Sequence, residues 1–142
     1  MKASITILIF FSSLSFAFSQ TNLDKAFSAF NLYYKQNPVD NTPRENLLLN
    51  KSEKIIDLGE VQMPINQVAA TYHYYSQFNY HHSVLFSCTP DGPCFIVNGS
   101  DYKDSVLGTH GFGIAFKTKE MCYKWIELFS KLKEEINKKQ PN

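Results

Sequence analysis

The segment "VAATYHYYSQFNYHHSVLFSC" (Val68–Cys88) sets two runs rich in aromatic and β-branched residues on either side of "SQFNY". That composition predicts a β-hairpin. With the turn at Ser76–Tyr80, Tyr75 opposes His81, and the pairing continues as Tyr74 with His82, Tyr72 with Val84, Ala70 with Phe86 and Val68 with Cys88. Because side chains alternate with period two, these even-numbered residues share one face, and their apolar character predicts that this face is core. Carried through the next turn, the same register adds Cys94 and Ile96 to it. Thr71, His73, Tyr75, His81, Ser83 and Ser87 fall on the other, polar face, which Leu85 interrupts. Tyr72 and Tyr74 are therefore expected to pack inside. His73, Tyr75, Phe78, Tyr80 and His81 are expected to form an exposed rim and loop tip, the candidate binding residues.

Three of the four histidines crowd into this hairpin, which raises the question of a metal. His73 and His81 would be diagonal neighbours roughly 7–8 Å apart, but no third ligand accompanies them. The cysteine pair is C-x5-C across a turn, without a histidine pair at zinc-finger spacing. No metal and no cofactor is expected. A Cys–His nucleophile is also excluded, since His82 and Cys88 lie about 20 Å apart along one strand at ~3.3 Å per residue. There is no Gly-x-Ser-x-Gly elbow, His-Glu-x-x-His pair or phosphate-cradling loop. The expectation is a protein that is not an enzyme.

Cys88 and Cys94 enclose "TPDGP", a turn by composition, since proline fixes φ and Asp-Gly supplies a left-handed position. The reading is a local Cys88–Cys94 disulfide, set against two free thiols or a bridge from either to Cys122. Outward from the hairpin, "LLLNK", "KIIDL", "VQMPI", "CFIVN" and "GFGIAF" add five short strands, about seven in all, with Pro64 confined to an edge or an end. Upstream, Leu23, Ala26, Phe27, Phe30 and Tyr33 or Tyr34 recur at helical spacing over residues 20–37. "NPVDNTPREN" then predicts a linker at 38–45 and a helix packed loosely on the rest. Downstream, Met121, Cys122, Trp125, Leu128, Phe129, Leu132 and Ile136 share one helical face opposite Lys124, Glu127, Lys131 and Glu134. Thr118 is the expected N-cap, Glu120 suits the first turn, and Lys138 and Lys139 suit the last. Cys122 on the apolar face reads as a buried structural thiol.

Residues 1–19 carry Lys2, a short apolar core and Ala17-Phe18-Ser19, the pattern of a secretory signal. Export to a periplasmic or extracellular setting is expected, where a disulfide is permitted. The 123 residues left from 142 suit one domain. Without Lys2 the 14 basic and 13 acidic residues become 13 of each, and Arg44 is the single arginine, so nucleic-acid binding has no electrostatic support. No second apolar run is long enough to span a membrane. "NKS" at Asn50 and "NGS" at Asn98 match the N-glycosylation acceptor pattern in turns.

Seven short strands closed by "GIAFKTKEMCYKWIELFSKL", together with "MPINQV", resemble the pleckstrin-homology-like superfold and its bacterial GRAM-like members from Asn46 to Lys138, within an expected domain at 46–142. "SVLFSCTPDGPCFIV" also resembles a paired-cysteine hairpin of small exported proteins of Bacteroidetes-type bacteria. The resemblance implies an α+β fold, a seven-stranded antiparallel barrel or sandwich, whose open end Trp125 plugs, with the N-terminal helix as an addition. It implies no phosphoinositide site, because "NKSEK" offers only Lys51 and Lys54 beside Glu53 where phosphoinositide binders carry a basic cluster. The expected function is an exported binding or protein-interaction module with an unknown protein or peptide partner. The alternatives are a binder of an apolar or aromatic ligand, using rings of the hairpin or beneath the N-terminal helix, and a thiol- or metal-dependent enzyme.

Overall fold

The computed structural model describes residues 22–76, 81–89, 94–97 and 111–138. The segment 1–19, Phe78, Tyr80, Asn98 and Lys139 lie outside these residues. The fold is α+β, with two helices and two antiparallel sheets built from seven strands. Helix α1 spans 22–36. Strands β1 (Leu48–Asn50), β2 (Ile55–Asp57), β3 (Val61–Pro64) and β6 (Ile96–Val97) form one sheet in that order. Strands β4 (Val68–Tyr74), β5 (His82–Cys88) and β7 (Phe112–Phe116) form the second, with β5 in the middle, and α2 (Lys119–Asn137) follows. Among the described residues the sheets stay separate and do not close into a barrel.

The hairpin register is the one its alternation requires. Val68 faces Cys88, Ala70 faces Phe86, Tyr72 faces Val84 and Tyr74 faces His82, and the Tyr75 amide donates to the His81 carbonyl at 2.9 Å. Val68, Val84 and Phe86 are fully buried on the even face. β7 adds Phe112, Ile114 and Phe116 opposite Phe86, Val84 and His82. Helix α2 lays Cys122, Trp125, Phe129, Leu132 and Ile136 over this face, while Ile56 and Met63 close the core from the other sheet and Ile65 from the 3-10 turn that follows β3. Thr118 caps α2, its hydroxyl accepting from the Met121 amide. Pro64 ends β3, and its place at a strand end spares the ladder a missing donor.

Three expectations are corrected. Ile96 does not join the core: β6 leaves β5 and pairs with β3, opposite Gln62, leaving Ile96 exposed while Phe95 turns inward against Phe112. Tyr74 is also exposed, because α2 begins at Lys119 and its cover reaches only Tyr72, through Tyr123. The third correction concerns α1, which is not loosely attached. Phe30 is fully buried, its ring stacked on Trp125 at 4.7 Å, and the Trp125 indole donates to the Phe30 carbonyl at 3.2 Å.

The Pro- and Asn-rich segment after α1 holds the reason for this tight docking. Arg44 places its guanidinium over the rings of Tyr34 (4.5 Å) and Phe116 (4.7 Å). It donates to the Tyr34 carbonyl at the end of α1 and to the Ala115 carbonyl of β7, so one cation ties helix to sheet. Asn37 meets a second terminal carbonyl, that of Tyr33. A lysine offers no planar fork to stack between two rings while serving two carbonyls. Arg44→Lys is therefore expected to lower stability by about 2 kcal/mol in urea unfolding.

Cys88 and Cys94 form a disulfide with Cα atoms 5.7 Å apart, and Cys122 is a buried free thiol. Burial pushes the Cys122 thiol from 9.0 up to about 11, against the partial opposition of Arg44. Above about pH 9 the unfolded chain gives up this proton while the folded chain keeps it. Stability from this group is thus complete below pH 9 and is lost as pH rises toward 11. Urea unfolding at pH 8 and pH 10 is expected to show a steeper loss in the parent than in Cys122→Ala.

Candidate functional site

The ring-rich end of the β4–β5 hairpin divides between the two faces of its sheet. On the even face, Tyr72 lies under the start of α2, its ring 5.4 Å from Tyr123 and 6.0 Å from His82. The Tyr72 hydroxyl and His82 Nδ1 are hydrogen-bonded at 2.9 Å, which fixes both rings. Burial pushes the Tyr72 hydroxyl upward, with Lys119 opposing. Tyr74 extends the surface, with His81 and His82 each 5.5 Å from its ring. Lys119 Nζ hangs 5.5 Å from the Tyr72 and Tyr123 rings and forms no salt bridge among the described residues.

Helix geometry explains why Tyr123 and Lys119 meet Tyr72 together: residues four apart sit one turn above another on the same side. Tyr123 is 50% and Tyr74 54% exposed, so two large rings are held in solvent by ordered neighbours. The result is a surface of Tyr72, Tyr74, Tyr123, His81 and His82 edged by the Lys119 ammonium. Such a surface offers stacking area at low entropic cost, together with hydrogen-bonding tips.

The odd face is different. His73 and Tyr75 pack on each other at 4.2 Å. Tyr75 leans over Ser83 toward Gly113, where an added Cβ would stand 4.0 Å from its hydroxyl. Ser83 is therefore buried, not part of a polar outer face. Tyr75 is half-buried and serves as a cover. His81 crosses to Tyr74, and its Nδ1 lies 2.7 Å from the Tyr75 carbonyl; a carbonyl only accepts, so Nδ1 carries the proton and donates.

Of the expected rim, the structure thus unites His73 with Tyr75 and sends His81 to the opposite face, while Phe78 and Tyr80 lie outside the described residues. Tyr74, His82, Lys119 and Tyr123 are members that the alternation missed. The signal available for the last two is the Lys119–Tyr123 spacing on an amphipathic helix. Among the described residues no three of His, Cys, Asp or Glu gather as a metal site. No helix of the described residues is long and apolar enough to cross a membrane. Beneath α1, the rings of Phe30, Trp125, Phe86 and Phe129 fill the interior against one another.

No protein-family model, curated protein or solved structure matches the chain.

Proposed function

We propose that the protein is an exported, non-enzymatic protein-interaction module whose contact surface is the aromatic end of the β4–β5 hairpin with the first turns of α2. The observation that carries this reading is the pair of exposed rings, Tyr74 and Tyr123, buttressed by Tyr72 and His82 and flanked by Lys119, which forms no salt bridge among the described residues. Rigid aromatic anchors beside a cation are the residue types that dominate binding energy at protein interfaces. Export rests on the signal-like segment 1–19 and agrees with a disulfide, which persists in oxidising compartments. Seven short strands followed by one Trp-bearing helix support a pleckstrin-homology-like arrangement, in which the two sheets correspond to the halves of an open barrel.

Parallel pull-downs from the native envelope or culture fluid with the parent protein and with Tyr74→Ala/Tyr123→Ala test the reading. A specific protein recovered by the parent and lost by the variant is the expected result. Equal recovery by both would overturn it.

A further inference from the structure

The four edges of the two sheets are not equally protected. β1 and β6 are three and two residues long, too short to template a partner strand. At the β7 edge, Arg44 takes the Ala115 carbonyl. β4 is the exception: it is seven residues long, carries no Lys, Glu, Asp or Pro, and is terminal in the order β4-β5-β7.

In an antiparallel ladder, facing pairs alternate between exchanging both hydrogen bonds and exchanging none. Tyr75 donates to His81 and Thr89 donates to Gln67, at 2.9 and 2.7 Å, so the odd residues of β4 bond to β5. Its even residues must then direct their N–H and C=O groups away from β5. Lys133 confirms this parity, its Nζ meeting the outward carbonyl of Val68 at 2.8 Å. Among the described residues, nothing meets the backbone groups of Ala70, Tyr72 and Tyr74, which form an open edge beside the aromatic surface.

The charges along that edge come from α2 and are positive. Lys133 stands at Val68 and Lys119 at Tyr72, and neither forms a salt bridge among the described residues. The Glu120 carboxylate beside Lys119 belongs to the helix start, held by the Thr118 hydroxyl and close to His82. Val68 and Tyr72 are four residues apart, about 13 Å at ~3.3 Å per residue, which is the spacing of positions i and i+4 on one face of a strand. Between them lies Ala70, small and half-buried.

We infer that the edge of β4 takes an extended peptide strand from another protein, with acidic residues at positions i and i+4 and an apolar residue at i+2. Main-chain pairing with Ala70, Tyr72 and Tyr74 supplies the affinity, and Lys119 and Lys133 select the acidic side chains. A second copy of this chain fits less well, since two β4 edges would bring lysines toward lysines. The inference rests on the reading of the protein as an interaction module and names the class of partner.

The test is an NMR titration of the full chain with a blocked heptapeptide of threonines, valine at its centre and glutamate at its second and sixth positions. The amides of Ala70, Tyr72 and Tyr74 are expected to shift with saturation, while those of Thr71 and His73, already in the ladder, stay protected. A heptapeptide with lysine in place of glutamate is expected to bind about tenfold more weakly or worse. Ala70→Pro removes one outward N–H without touching the ladder and is expected to weaken binding to a similar degree. Lys119→Glu, which leaves the strand intact, provides the same readout should the proline variant misfold. Equal binding of both heptapeptides, or edge amides already protected by a concentration-dependent dimer, overturns the inference. Shifts confined to the Tyr74 and Tyr123 rings overturn the strand pairing but leave the interaction surface standing. An absence of any shift overturns the inference whether or not the pull-down recovers a ring-dependent partner.

Discussion

Trp125→Ala is expected to cost about 3–5 kcal/mol, a large share of the roughly 5–15 kcal/mol that holds a domain of this size together. The indole is fully buried at the junction of every layer. Phe30 of α1 stacks on it, Phe86 of β5 meets it edge-on at 5.3 Å, Phe116 of β7 lies at 5.2 Å and Tyr34 at 5.6 Å. Deleting it removes the shared partner of four rings, and ring packing of this geometry adds to simple area burial. Trp125→Phe keeps a ring but drops the indole donor to the Phe30 carbonyl. That variant should lose only about 1–2 kcal/mol, from one hydrogen bond and an imperfect fit. Urea unfolding of the pair separates the two contributions, and an alanine cost below that of phenylalanine would refute the central role of the indole.

Gly111→Ala is expected to be as damaging, for a backbone reason. Gly111 has φ +112°, and a Cβ there would stand 1.9 Å from the carbonyl oxygen of Phe86 and 2.9 Å from its carbon. The obstacle is main chain of the central strand β5, which cannot swing aside like a lysine tip. Strain in the left-handed region contributes about 1–3 kcal/mol, and displacing β5 adds to it. Gly59 provides the control: its φ is +92°, but nothing lies within 4 Å of the added carbon. Gly59→Ala should therefore show strain alone, about 1 kcal/mol, and thermal melts of both variants beside the parent measure the overlap as the difference.

The hairpin register was legible because two independent constraints agreed, the period-two pattern and the turn composition. The α2 face and its Thr118 cap were legible for a similar reason, since a sustained helical repeat leaves few alternatives. Ile96 was not, because a two-residue strand carries no period, and the disulfide that fixes Cys94 leaves the next residues free to choose another sheet. The exposure of Tyr74 depends on where a distant helix begins to cover the sheet, which no local pattern encodes. Arg44 was hidden in a segment whose prolines and asparagines read as a spacer; its role comes from two rings and two carbonyls that only the assembled fold brings near. Closure of the sheets was equally out of reach, since strands of two to seven residues suit open and closed arrangements alike. At the candidate site, the tyrosines and histidines stood out by their density, whereas their division between faces required knowing that His81 turns back to Tyr74.

The docking of Phe30 on Trp125 joins residues 95 positions apart. Helix α1 is made before α2, and it cannot take this seat until Trp125, 95 residues further along, has been made. Until then its apolar stripe of Leu23, Phe27 and Phe30 lacks the Trp125 ring it packs against in the fold, and the loop to be closed spans 95 positions. The contact between Phe30 and Trp125 is thus a long loop closed late, and its place in the fold makes the seating of α1 a step that follows the making of α2.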